Sequence, residues 1–85
     1  MNISGVLVRS RPQKIQAVSD QLVALPGVEV HGANEDGRIV VTIEAASDRV
    51  LADTVFQLND MPGVISTSMI YHQFEEDSRL EETLS

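Results

Sequence analysis

Two similar turns at a fixed spacing limit the folds that this chain can form. Residues 25–30 read LPGVEV and residues 61–66 read MPGVIS, which is an offset of 36 residues. Proline cannot continue a helical hydrogen-bond ladder, and glycine readily takes the left-handed conformation that reverses a chain. Each turn therefore predicts the end of a helix followed by the start of a strand.

The similarity extends upstream of both turns into two predicted helices. Their apolar residues correspond in order: Ile15, Leu22 and Leu25 in the first segment match Leu51, Leu58 and Met61 in the second. Intervals of seven and three residues place each set on one face of a helix. Pro12 suits the first turn of the first helix, and Ser47 suits the N-cap of the second. We therefore predict helices over residues 12–25 and 48–60.

Four short segments rich in β-branched residues flank these helices. They cover residues 3–8, 28–31, 38–45 and 64–72, and NEDG at residues 34–37 has the composition of a hairpin turn. The order is therefore β-α-β, hairpin, β-α-β. With right-handed crossovers, this order predicts an α+β fold of the ferredoxin-like split βαβ type. Such a fold has a four-stranded antiparallel sheet with two helices on one face, and we assign it to residues 1–74.

Composition restricts the classes of function. The chain has 85 residues and no cysteine, which excludes disulfides and cysteine-ligated zinc. No secretory signal pattern opens the chain, and no apolar run approaches the ~20 residues of a membrane span. We therefore expect a cytoplasmic protein that does not insert into membranes. The net charge of −7 and the lack of a basic stripe disfavour nucleic acid as a partner.

Much of the negative charge lies at the C-terminal end. Residues 75–85 read EEDSRLEETLS, with five acidic residues against Arg79. This composition is typical of a flexible acidic tail, which we separate from the domain. Two roles are open for it, either as a solubilising segment or as an attractant for a basic partner.

The sequence predicts neither a catalytic centre nor a metal site. It has no Gly-x-Ser-x-Gly motif and no glycine-rich phosphate loop. His31 and His72 are histidines on predicted strands, without the helical spacing typical of metal ligands. A surface or structural role is favoured for both over metal ligation. We therefore expect a protein that is not an enzyme.

Two helices cover only one face of the sheet, and we call the uncovered side the open face. The repeat offset is even, so strands one and three are predicted to share parity, with the bulkier odd-numbered residues in the core. For the second strand, both parities remain possible. The residues then predicted on the open face are Val6, Val8, Val40, Thr42, Ser66, Ser68, Ile70 and His72. The open face would then expose an apolar patch on the order of 400 Å², and an apolar patch of that size is often a binding site. Homodimerisation, or a strand pair that tolerates exposed valine, is the alternative.

Three stretches together resemble the NapD family over residues 3–76. They read ISGVLVRSRP, LPGVEVHGANEDGRIVVTIEA and MPGVISTSMIYHQFEE, and the most specific part is the Tyr71-His72-Gln73 run leading into acidic residues. The resemblance implies a ferredoxin-like cytoplasmic chaperone without a cofactor of its own. It implies binding to the twin-arginine (Tat) signal peptide of NapA, the catalytic subunit of the periplasmic nitrate reductase. Export would then be held back until NapA has received its molybdenum cofactor and iron–sulfur cluster.

A twin-arginine signal peptide combines a basic segment with an apolar, helix-prone segment. We expect the apolar part to lie on the open face, and the arginines to meet Glu44, Glu75 and Glu76 at the sheet rim. Ser66 and Ser68 depart from a wholly apolar site. They either allow a helix to approach closely or leave that edge outside the site. A monomer is favoured over an oligomer.

A second function from another class is an ACT-like regulatory module that binds a small ligand at a dimer interface. Such modules usually serve a partner domain in the same chain, and 85 residues leave no room for one. A heavy-metal chaperone of the same fold is disfavoured, because the predicted first βα loop, RSRPQK at residues 9–14, lacks the required cysteine pair.

Overall fold

The structure is a computed structural model that describes the backbone of residues 2–74 and the side chains of residues 2–71. The elements are β1 (Asn2–Ser10), a 3-10 turn (Pro12–Lys14), α1 (Ile15–Val23), β2 (Val28–Ala33), β3 (Arg38–Ala45), α2 (Asp48–Asp60) and β4 (Val64–Phe74). All strand pairs are antiparallel, in the order β2-β3-β1-β4. The predicted ferredoxin-like α+β fold is thereby confirmed. The acidic tail lies outside the described residues.

The two Pro-Gly turns have the same local structure. In the first, the Val28 amide donates to the Leu25 carbonyl at 3.3 Å, and the corresponding distance in the second turn is 3.1 Å. Gly27 and Gly63 have φ angles of 77° and 94°. Proline followed by a glycine of positive φ is the pattern of a type II turn. The Gly27 carbonyl also accepts from the Glu44 amide at 2.8 Å, which ties the exit of α1 to the end of β3.

The two helices begin differently. α2 occupies the predicted residues, and the Ser47 hydroxyl accepts a hydrogen bond from the Val50 amide at 3.2 Å, which confirms the predicted N-cap. α1 is shorter than predicted at both ends: Pro12 opens a 3-10 turn, so the α-helix begins only at Ile15, and it ends at Val23, two residues before the predicted end. This connection between β1 and α1 therefore differs from the one between β3 and α2.

The core lies between the helices and one face of the sheet. Its apolar members are Val6, Val8, Val18, Leu22, Val28, Ile39, Val41, Ile43, Ala45, Leu51 and Leu58. Ile15, Leu25 and Met61 pack against this core while partly exposed, so the predicted apolar faces of both helices are confirmed. Val28 and the half-buried Val30 point inward, which settles the orientation of β2.

The structure contradicts the prediction that Val6 and Val8 lie on the open face. They are core residues, with 1% and 0% of their surface exposed. β1 directs even-numbered residues inward whereas β3 directs odd-numbered ones inward, as the pairing of Val6 with Val41 requires. The even repeat offset holds between the helices. It does not hold between the strands, because the inward-facing Val8 lies 14 residues before Leu22, whereas the inward-facing Ile43 lies 15 residues before Leu58.

Candidate partner-binding face

The open face has an apolar centre built from the two middle strands. Leu7 of β1 lies opposite Val40 of β3, and both point away from the core. Leu7 is half-buried and Val40 is 40% exposed. Thr42, half-buried on the same face, lies opposite Gly5, and the half-buried Ile3 follows along β1. The predicted open-face positions of Val40 and Thr42 therefore agree with the structure. On β1, the open face is formed by Leu7 and Ile3 and not by the predicted Val6 and Val8.

Tyr71 adds an aromatic ring to this centre. Where β1 pairs with β4, Gly5 lies opposite Tyr71 but Val6 lies opposite Met69, so Ile70 is an extra residue in a β-bulge. A β-carbon built on Gly5 would lie 2.6 Å from Cδ2 and 2.9 Å from Cζ of Tyr71, which shows that the ring lies across the glycine. The predicted open face contained only even-numbered residues of β4 and therefore omitted Tyr71, because strict alternation along a strand does not anticipate a bulge.

The other predicted residues of β4 have mixed outcomes. Ser68 lies opposite Leu7 and Ser66 opposite Arg9, which places both on the open face. Ile70 is 56% exposed at the bulge. His72 pairs with Ser4 through the backbone, but its side chain, like Glu75 and Glu76, lies outside the described residues.

Acidic side chains lie at one end of the open face. Glu44 is exposed opposite Ile3, as predicted, and Glu29 of β2 is exposed opposite Thr42. His31 lies beside them, since its Nε2 is 2.7 Å from the Thr42 hydroxyl. The sequence alone does not indicate Glu29 as a site residue, because it leaves both orientations of β2 possible. Once Val28 is placed in the core, the alternation of a strand puts Glu29 on the other face.

Basic side chains lie at the opposite end. Arg9 of β1 pairs directly with Arg38 of β3, and both are exposed on the open face. The face therefore runs from a carboxylate end, formed by Glu29 and Glu44, through an apolar centre to a guanidinium end. This arrangement cannot be predicted from the sequence alone, because it depends on the register between β1 and β3.

A separate apolar groove lies on the helical side of the sheet, between α2 and β4. Its lining includes Leu51, Val55, Phe56 and Met69, and Phe56 is 72% exposed. The described residues contain no group of three or more His, Asp or Glu side chains that could hold a metal ion. Over the same part of the chain, neither helix has the length and hydropathy needed to cross a bilayer.

The fold defines a small ferredoxin-like α+β protein whose open face has an exposed apolar centre. Its sequence matches the family model described as NapD protein over residues 1–76. The chain belongs to the NapD family, a family of chaperones. This role confirms that the protein is not an enzyme, and it favours a chaperone over an ACT-like regulatory module.

Similar proteins support the family assignment. Chaperone NapD of Escherichia coli K12 is 33% identical over 82 residues, covering 95% of this chain and 92% of that protein. Chaperone NapD of Haemophilus influenzae is 27% identical and covers 92% of this chain and 85% of that protein. The solution structure of the E. coli Tat proofreading chaperone NapD superposes with a TM-score of 0.78 at 31% identity. That superposition covers 89% of this chain and 81% of the other.

Proposed function

We propose that this protein binds the twin-arginine signal peptide of the NapA precursor in the cytoplasm and delays its export while cofactors are inserted. The observation that carries the proposal is the open face, where an exposed apolar centre adjoins a pair of carboxylates. The similarity to a structure described as a Tat proofreading chaperone supports the same class of partner.

The apolar centre suits the hydrophobic region of a signal peptide, which has 7–15 apolar residues after a basic segment. Leu7, Val40 and Tyr71 present carbon surface that no described element covers. Burying on the order of 400 Å² at ~25 cal/mol per Å² contributes at most roughly 10 kcal/mol before the entropy of association is subtracted. The net affinity is therefore expected to be moderate and reversible, as a chaperone requires.

The carboxylate end suits the paired arginines that precede the hydrophobic region. Glu29 and Glu44 are exposed on adjacent strands, so they can accept charge-assisted hydrogen bonds from guanidinium groups. The net charge of −7 also accelerates encounter with a basic segment, most strongly at low ionic strength. Together, the two parts of the face match the two parts of the peptide.

Delay of export follows from competition for one segment. A signal peptide whose apolar residues lie on the open face cannot present them to a translocase at the same time. The delay lasts as long as the complex, so its dissociation rate determines how long the precursor remains available for cofactor insertion. In this proposal the chaperone acts on the timing of export and performs no chemistry on the precursor.

Calorimetric titration with a synthetic peptide of the cognate NapA signal sequence tests the proposal. We expect saturable binding with a Kd below roughly 10 µM, about 7 kcal/mol of binding free energy. The matched control is the same peptide with both arginines replaced by glutamine, which should bind more weakly at low salt. Absence of binding at peptide concentrations of roughly 100 µM would contradict the proposal.

A further inference from the structure

The guanidinium end of the open face is an unusual feature for a surface that attracts arginines. Arg9 and Arg38 are directly opposed across β1 and β3, and like charges in that position destabilise a strand pair. Among the residues whose side chains the structure describes, neither guanidinium forms an ion pair with a carboxylate, although Glu35 and Asp36 lie in the adjoining turn. A basic segment placed at this end would meet repulsion.

The separation of the two charged ends suits a helical segment. Glu44 lies opposite Ile3, and Arg9 lies six positions after Ile3 along β1. At ~3.3 Å per residue this distance is about 20 Å, which a helix covers with roughly 13 residues. An extended segment would cover it with only about six residues. The hydrophobic region of a signal peptide has 7–15 residues, so the helical length agrees better.

We propose that the open face accepts the signal peptide in one direction, an inference that rests on the proposed function. The arginines lie over Glu29 and Glu44, and the C-terminal end of the apolar helix lies over Arg9 and Arg38. A helix carries partial negative charge on its last carbonyl groups, which favours cations there. In the reversed direction the peptide arginines would face the Arg9–Arg38 pair. The pair therefore selects direction and disfavours segments with basic residues directly after the apolar region.

Paramagnetic broadening measures this direction. A nitroxide label is attached to one end of the signal peptide or to the other, and the amide resonances of the isotope-labelled chaperone are observed. We expect an N-terminal label to broaden Ile3 and Glu44, and a C-terminal label to broaden Arg9 and Arg38. The reverse pattern, or equal broadening at both ends from either label, would overturn the inference while leaving the proposed function intact. Absence of binding would overturn both.

Charge reversal provides a second measurement. Neither Arg9 nor Arg38 is buried, so the double variant R9E/R38E should fold. We expect it to bind the peptide in both directions, so that each label broadens both ends of the face. Arg49→Glu, which reverses one charge at an exposed position of α2, is the control and should retain one direction. A double variant that keeps the original broadening pattern would contradict a directing role for the arginine pair.

Discussion

The ring of Tyr71 lies across Gly5, so that an aromatic residue of the edge strand covers a glycine at the centre of the open face. The contact depends on the bulge at Ile70, which returns Tyr71 to the open side after Met69 has pointed toward the helices. Gly5 has no side chain, so the ring can approach the backbone and form a flat apolar platform. The proposed binding face is thus shaped by a pair of residues from different strands.

Gly5→Ala should displace the ring and destabilise the domain. We expect a loss of about 1 kcal/mol in the free energy of unfolding, because the added carbon overlaps the ring. In the Tyr71→Ala background the same change should cost close to nothing. Urea unfolding of the four proteins in this double-mutant cycle measures the coupling. Equal costs in both backgrounds would show that the ring does not rest on Gly5.

Val8→Ala and Val40→Ala should differ sharply in their effect on stability. Val8 is fully buried, so its truncation leaves a cavity and should lower the free energy of unfolding by about 2 kcal/mol. Val40 is 40% exposed, and its truncation should cost less than about 0.5 kcal/mol. Urea denaturation provides both values. Similar costs would contradict the assignment of even-numbered residues of β1 to the core.

Ser47→Ala should weaken the start of α2. The Ser47 hydroxyl accepts a hydrogen bond from the Val50 amide, and loss of such a cap costs about 1 kcal/mol. Ser68→Ala, at an exposed position of β4, is the matched control and should change stability by less than about 0.5 kcal/mol. Thermal and urea unfolding measure both effects, and equal stabilities for the two variants would argue against the cap.

Val40→Asp should weaken signal-peptide binding strongly while the fold is retained. A carboxylate at the centre of the open face would lose its hydration when an apolar segment covers it. Val50→Asp is the matched control, because Val50 is 47% exposed in the first turn of α2, where a negative charge is tolerated. Calorimetry should show at least a tenfold loss of affinity, about 1.4 kcal/mol, for the first variant alone. Equal affinities would exclude Val40 from the site.

The sequence was sufficient to predict most of the fold. The Pro-Gly turns fixed the two helix exits, heptad-like spacing identified Leu22 and Leu58 as core residues, and Ser47 was recognised as a cap. These features depend on residues close together in the chain. The local signals were therefore strong enough to determine the element order, and the handedness of crossovers then limited the topology.

The candidate site was less predictable, because it depends on register and bulges. The predicted orientation of Val6 and Val8 was wrong, since the spacing from inward-facing strand residue to core helix residue differs by one between the two units, which reverses the parity of β1 relative to β3. A shift of one residue exchanges the faces of a whole strand. The bulge at Ile70 likewise moves Tyr71 onto the open face, and no residue pattern in β4 indicates where the bulge occurs. The Arg9–Arg38 pair likewise requires the register between two strands.

The central claim is that the partner binds on the open face, and amide chemical-shift mapping tests it most directly. The isotope-labelled chain is titrated with the NapA signal peptide while its backbone resonances are followed. We predict the largest shifts at Leu7, Val40, Thr42 and Tyr71, and small shifts at Val55 and Phe56 in the groove between α2 and β4. Shifts concentrated in that groove, with the open-face amides unchanged, would contradict the account.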